Sequence, residues 1–350
     1  MRRRHWLFDA PTDLAIAWSW VPFFVAAHVF TVRTGAAADE SVQRLLTWVL
    51  LASLLHQPLT LLLVYGDRHQ FTQRRRLFIL APLAAVLLIG VAVELNLWVI
   101  VPIAAIWQTF HTLQQRYGLL RIYARKADHG DQRLDRAILF VPFLAAIALV
   151  AVLPITQRQA ARFGSQLDSN EIGLLTTARP VLTALLVPLA ITTIAILFRY
   201  VQQERTTTNP AKWSYLGSML LLTASLPIDP TAGLIAIIAS HAIEYGIVVM
   251  RTLRSRYKSP ERTSLLAKLA GSTPRRWTLL VAFLAAFWLL DNHLRDVLPW
   301  HAYLIALYTI GLLHFVYDAV IWKVRRPAVA TGFGISASAQ PTPRSPASRS

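Results

Sequence analysis

The chain carries ten histidines, and five of them, His28, His56, His111, His241 and His314, fall inside long apolar runs together with two acids, Glu244 and Asp318. Ionisable groups at membrane depth are rare and tend to face a bundle interior or a polar cavity. Imidazole ligates transition metals, binds haem iron axially and carries protons, so these residue types point to metal or haem chemistry or to proton movement. His241 and Glu244 are three residues apart, and His314 and Asp318 are four apart, so each pair shares a helix face. Gln108 and Gln115 lie on the face of His111, where Gln115 is suited to orient an imidazole. Tyr245 and Tyr317, each beside one of the acids, are the candidate hydrogen-bond donors of the site. The chain has no cysteine, which removes thiolate metal sites, iron-sulfur clusters and thiol catalysis.

The elements that must hold these residues are apolar runs of roughly 16 to 25 residues bounded by Arg or Lys. Ten are expected, near 14–32, 45–65, 77–93, 97–117, 137–155, 180–198, 213–228, 231–250, 277–291 and 300–322. The shortest, 213–228, ends in Pro227-Ile228-Asp229-Pro230 and could be re-entrant. In the outer loop 156–179 a short surface helix is expected around Gln157 to Gln166, and Glu94 with Asn96 is expected to form a turn. The fold class is therefore all-α, a polytopic membrane bundle forming one domain over 1–326. Residues 327–350, rich in Ser, Pro and Ala, are expected to be a disordered cytoplasmic tail.

The charge balance supports this organisation. Hydrophobic residues make up 55% of the 350, charged ones only 15%, and mean hydropathy is +0.45, yet Lys+Arg outnumber Asp+Glu by 35 to 18. With the amino terminus inside, alternate loops hold 29 of the 35 basic residues, as expected of cytoplasmic segments. The net charge of +17 is thus a topology signal and not the footprint of a nucleic-acid partner. Both termini are expected in the cytoplasm, with Arg2 to Arg4 opening a signal anchor of a bacterial-type inner membrane. The basic loop Arg251 to Arg276 is expected to contact anionic membrane lipids. Trp6, Trp18, Trp20, Trp98, Trp300 and Trp322, near run ends, read as an interfacial belt.

Counting from the outer ends of their runs, His56, His111, His241 and His314 lie about 11, 14, 10 and 14 residues deep, a spread of about 6 Å. Four parallel helices would therefore present four imidazoles in one layer. His28 lies about four residues from the outer end of its run, the outlier of the set, kept as a cofactor-binding candidate with Gln108 and Gln115.

The polytopic, cysteine-free architecture, with His111 opening HTLQQRYG, His241 opening HAIEYG and His314 opening HFVYDAVIWKVRRP, resembles bacterial histidine-rich membrane oxygenases. These include the Brp/Blh-type carotene-cleaving proteins and the membrane desaturase and hydroxylase group. The paired HxxHH and HxxxH boxes of the desaturases are absent. The resemblance implies a membrane-embedded, iron-dependent oxidoreductase acting on a hydrophobic small molecule such as a lipid or isoprenoid, with a membrane redox partner. His56, His111, His241, His314, Glu244 and Asp318 are the expected metal ligands. Glu244, Asp318, Tyr245 and Tyr317 are the expected catalytic groups. Non-haem iron is the leading cofactor and haem b the second. A proton-coupled transporter using the same layer, and a scaffold without chemistry, are the readings from other classes.

Overall fold

In the computed structural model, residues 5–95, 97, 100–163, 169–205, 209–256, 272–322 and 333 are described. Among the described residues every regular element is an α-helix. In chain order these are α1 Ala10–Trp18, α2 Trp20–Thr31, α3 Ala36–His56, α4 Leu59–Tyr65, α5 Arg68–Gln73, α6 Arg75–Glu94 and α7 Ile100–Lys126. They continue as α8 Gln132–Val152, α9 Pro154–Phe163, α10 Ser169–Glu204, α11 Pro210–Ser225, α12 Pro230–Arg256, α13 Thr273–Val297 and α14 Trp300–Ile321.

The sequence sets several helix starts. Asp9, Asp131, Asn209 and Asp229 accept the backbone N–H three residues on, at 2.9, 2.7, 3.1 and 3.1 Å. Pro11, Pro210 and Pro230 sit in the first turns of α1, α11 and α12, where a missing N–H leaves no bond unmade.

Among the described residues, eight helical segments are long and apolar enough to cross a membrane: Ala10–Thr31, Ala36–Tyr65, Arg75–Glu94, Gln132–Val152, Thr176–Glu204, Pro230–Arg254, Thr273–Val297 and Trp300–Ile321. The other two expected runs are helices as well, α7 and α11. The first is too polar to qualify, and the second, at 16 residues, spans only about 24 Å. No break interrupts α11, so the run expected at 213–228 is a short continuous helix.

Burial separates axis from periphery. In the most apolar stretch of α12, 61% of residues are buried, against none in α10 and 6% in α13. The central helix gains its place from small residues: Ala232, Ala236, Ala239 and Ser240 are all at most 4% exposed. A Cβ on Gly233 would lie 2.8 Å from Leu226 Cδ2 and 3.2 Å from Leu226 Cα, so only glycine admits that approach. Around α12, one apolar cluster joins Ile16, Leu120, Tyr123, Ile138 and Tyr215; another joins Leu63, Phe78, Tyr245, Leu313 and Tyr317.

Several expectations are corrected. The second run begins nine residues early, at Ala36, and breaks at Gln57-Pro58, because Pro58 has no N–H to continue the ladder. Helix α7 runs on to Lys126 and absorbs what reads as the start of a loop. Arg116 and Lys212, assigned to cytoplasmic loops, are only 3% and 2% exposed. Lys212 Nζ lies 2.7 Å from Glu204 Oε1 and 3.1 Å from Asp135 Oδ1; Arg121 also pairs with Asp135, and Tyr200 donates to it at 3.1 Å. Two cations and two carboxylates thus clamp α7, α8, α10 and α11 together. Trp18 and Trp20 donate to Ser214 and Ser218 of α11 at 3.1 and 2.7 Å and so tie α1 and α2 to α11.

The short helix expected around Gln157 to Gln166 is α9, Pro154–Phe163, with Gln166 outside the described residues. Arg2 to Arg4, Asn96, Trp98, most of the basic loop and the tail also lie outside them. Phe333 is the one tail residue described; it is 3% exposed and 6.1 Å from the Phe8 ring, so at that point the tail joins the core.

Candidate metal centre

The break at Pro58 builds one wall of the site. It ends α3 on His56 and restarts the chain as α4, so that His56 (4% exposed) and Thr60 (0%) both reach the interior from one strand of chain. Opposite them stand His111 on α7, His241 on α12 and His314 on α14.

The four imidazoles form a closed ring. Centroids are 4.9 Å apart for His56 and His241, 5.3 Å for His241 and His111, 4.8 Å for His111 and His314, and 5.0 Å for His314 and His56. Neighbouring rings stand at 66 to 89° to one another. His241 and His314 are fully buried, and His111 is the most open of the four. Both nitrogens of His56 and of His241, and the Nε2 of His111 and of His314, are buried without a hydrogen-bond partner. Leaving one such atom unpaired costs about 1 to 3 kcal/mol, so six together require an explanation.

The donor geometry suits an ion. One ligand atom each from His56, His241 and His314 lie within 4.8 Å of one another, as do those of His111, His314 and Asp318. Three donors around a metal at about 2.1 Å stand about 3.4 to 3.6 Å apart, so an inward movement of at most about 0.7 Å each closes either set. Asp318 Oδ2 stands 3.8 Å from His111 Nε2 and 3.7 Å from His314 Nε2. Its other oxygen accepts from Thr60 at 2.9 Å, Tyr245 at 3.0 Å and Trp322 at 3.1 Å.

A cavity of about 440 Å³ meets the ring at His111, Asp318 and Tyr245. Trp107, Phe110, Gly118, Phe315, Ala319 and Trp322 line it. The cavity therefore touches the ring at its most open imidazole, His111, while His56 and His241 do not line it.

The other expected site residues are placed differently. Glu244, expected as a ligand, belongs to neither ligand set; its carboxylate lies 3.6 Å from Arg116 Nε and 3.4 Å from Gln115 Nε2, because α7 presents a buried guanidinium there. Gln115 accordingly serves Glu244 and not an imidazole. Gln108 is half-buried and does not line the cavity. The Tyr317 hydroxyl pairs with Tyr65 at 2.7 Å, so of the two tyrosines Tyr245 alone joins the site. His28 lies apart, with Nδ1 2.8 Å from Asp229 Oδ2, at the start of α12 and about 18 Å along that helix from His241.

Three residues of the site escaped sequence reasoning: Thr60, Arg116 and Trp322. Thr60 follows His56 by one helical turn across Pro58, and that spacing is the one signal that points to it. Arg116 reads as the edge of a loop because it is basic, and Trp322 as a belt residue because it ends a helix.

No family model, curated protein or solved structure matches the chain.

Proposed function

We propose that the protein is a metal-dependent membrane oxidoreductase, using non-haem iron, that acts on a lipid or isoprenoid delivered through the apolar cavity. The observation that carries this reading is the closed ring of four buried imidazoles with six unpartnered nitrogens beside that cavity. The donor set, imidazoles with one carboxylate, is the kind that iron, copper and zinc accept. Iron held there would supply one-electron redox and dioxygen chemistry at the cavity edge. Haem b fits less well, since a macrocycle would have to pass between imidazoles whose centroids are only about 5 Å apart. The resemblance to histidine-rich membrane oxygenases belongs to this same proposal.

The chain's own groups divide the work. His56, His241 and His314 form the enclosed face of the ligand set, and His111 with Asp318 the face that meets substrate. Asp318 Oδ2 is placed to hold or take up a proton between His111 and the cavity. Trp107, Phe110 and Phe315 exclude water and bind the apolar body of the substrate. Electrons come from a redox partner in the same membrane.

The topology that goes with this reading has ten crossings, with α7 and α11 completing the eight apolar spans, and both termini on the cytoplasmic side of a bacterial-type inner membrane. The inward bias of Lys and Arg supports it even after Arg116 and Lys212 are moved to the interior.

One observation favours transport as the second reading: α3 and α4 are interrupted beside buried ionisable groups, as in carriers with broken helices. Metal content of the detergent-purified protein separates the two. About one iron per chain is expected, lost in His56→Ala, His241→Ala and His314→Ala. Metal-free protein that carries out proton-coupled flux in liposomes would overturn the oxidoreductase reading.

A further inference from the structure

We propose that Thr60 is the positioning residue of the histidine ring: its hydroxyl takes the Nδ1 proton of His314 and so leaves the Nε2 lone pair of that imidazole free for a metal. The inference rests on the metal-site reading for its affinity effect, but the tautomer itself can be read without any metal.

Around Thr60 there are fewer protons than short polar contacts. Five short contacts converge around Thr60. Its Oγ1 lies 2.6 Å from the Tyr245 hydroxyl, 2.7 Å from His314 Nδ1 and 2.9 Å from Asp318 Oδ1. Asp318 Oδ1 is also 3.0 Å from the Tyr245 hydroxyl and 3.1 Å from Trp322 Nε1. Thr60, Tyr245 and Trp322 bring one proton each, a neutral imidazole brings one on either nitrogen, and Asp318 enters as the carboxylate that a metal ligand must be.

With that proton on Nδ1, His314 donates to Thr60, Thr60 donates to Asp318, and Trp322 donates to Asp318. Tyr245 then donates to Thr60 or to Asp318. Four of the five contacts are filled, and Thr60 can use its one donor and both lone pairs. With the proton on Nε2, Thr60 must donate to Nδ1. The 2.9 Å approach of Thr60 to the Asp318 carboxylate then holds no proton, and two oxygens with lone pairs are pressed together in a buried site. The first arrangement is favoured, and His314 Nε2, buried and without a hydrogen-bond partner, carries a lone pair among the ligand atoms of its neighbours. The same hydroxyl holds Asp318 Oδ1, which leaves Oδ2 facing His111 and His314. One side chain on α4 thus fixes two groups of α14, which is how outer partners orient metal ligands elsewhere.

The test uses the full chain in detergent or nanodiscs, with imidazole-¹⁵N histidine and the His314 signals assigned by their loss in His314→Asn. Metal-free wild-type protein is expected to show His314 protonated at Nδ1. Thr60→Val, which keeps the shape and removes the hydroxyl, is expected to shift His314 toward the Nε2-protonated form. Its affinity for Fe(II) or Co(II), measured by chelator competition, should fall about 10- to 100-fold. Thr60→Ser should restore both. A wild-type His314 protonated at Nε2 overturns the proposal, as does a folded Thr60→Val with unchanged tautomer and unchanged affinity. Should Thr60→Val fail to fold, the wild-type tautomer and Thr60→Ser still decide. Wild-type protein that binds neither metal sinks the proposed function, and the metal-free spectrum then decides this inference separately.

Discussion

Arg116 and Glu244 join α7 to α12, and cutting that pair tests whether it holds His111 beside His241. The guanidinium Nε and carboxylate Oε1 are 3.6 Å apart, with the residues 3% and 0% exposed. At an effective dielectric of about 20, that separation corresponds to roughly 5 kcal/mol of attraction. Removing one partner leaves the other buried and uncompensated, which typically costs about 3 to 5 kcal/mol. Gln115 at 3.4 Å and Ser240, 2.8 Å from Arg116, soften the loss, so about 3 kcal/mol is expected for Arg116→Met and for Glu244→Gln. That is several times a typical interhelical hydrogen bond in a membrane, about 0.6 kcal/mol. In the double variant no charge remains to be compensated, so it should lose much less than the sum, with a coupling of about 2 kcal/mol or more. Reversible unfolding in mixed detergent and SDS micelles measures all three, and iron content measured alongside should fall most in Arg116→Met. Single variants within about 1 kcal/mol of wild type, or a double that equals the sum of the singles, would refute the reasoning.

The remaining predictions concern the cavity, the charge clamp and the two tyrosines. A Cβ on Gly118 meets nothing within 4 Å, and Gly118 lines the cavity, so the ring of Gly118→Phe should occupy it. Binding of a fluorescent apolar probe should then drop at least about tenfold while metal content stays; unchanged probe binding would show that the cavity is not the binding chamber. Gly130 has φ +118°, and a Cβ there would lie 2.8 Å from Lys212 Nζ and 3.2 Å from Ala124 Cβ. Gly130→Ala should therefore cost about 1 to 3 kcal/mol in the same unfolding assay, and a neutral result would count against the clamp. Tyr317→Phe should leave metal affinity unchanged, because its hydroxyl serves Tyr65, whereas Tyr245→Phe, which loses contacts to both Thr60 and Asp318, should weaken it. Equal effects of the two in chelator competition would contradict the placement.

Much of the fold is legible in local chemistry. Apolar runs define helices; the break at Pro58, passed over when 45–65 was read as one run, and the starts at Asp9, Asp131, Asn209 and Asp229 also act through near neighbours in the chain. The four histidines are likewise visible in the sequence, because a titratable side chain in an apolar run needs an interior partner whatever the partner is. The depth assigned to His56 rested on a helix start at 45, whereas α3 begins at Ala36 and places His56 at its last residue. Where an imidazole sits along the chain therefore did not settle where it sits in the bundle.

The roles within the layer are what tertiary structure decided. His241 with Glu244 and His314 with Asp318 look equivalent in the sequence, a histidine followed by an acid on one helix face. Helix periodicity fixes that face but not what stands across from it. Arg116 of α7 lies against Glu244 and draws it into an ion pair, while Thr60, Tyr245 and Trp322 converge on Asp318 and leave one of its oxygens toward the ring. Those partners are 128 and up to 258 residues away along the chain, and only the packing of α4, α7 and α14 around α12 brings them into contact. Sequence alone determined that the four imidazoles and the two acids had to be inside; packing determined which acid faces the imidazoles and which is held by an arginine.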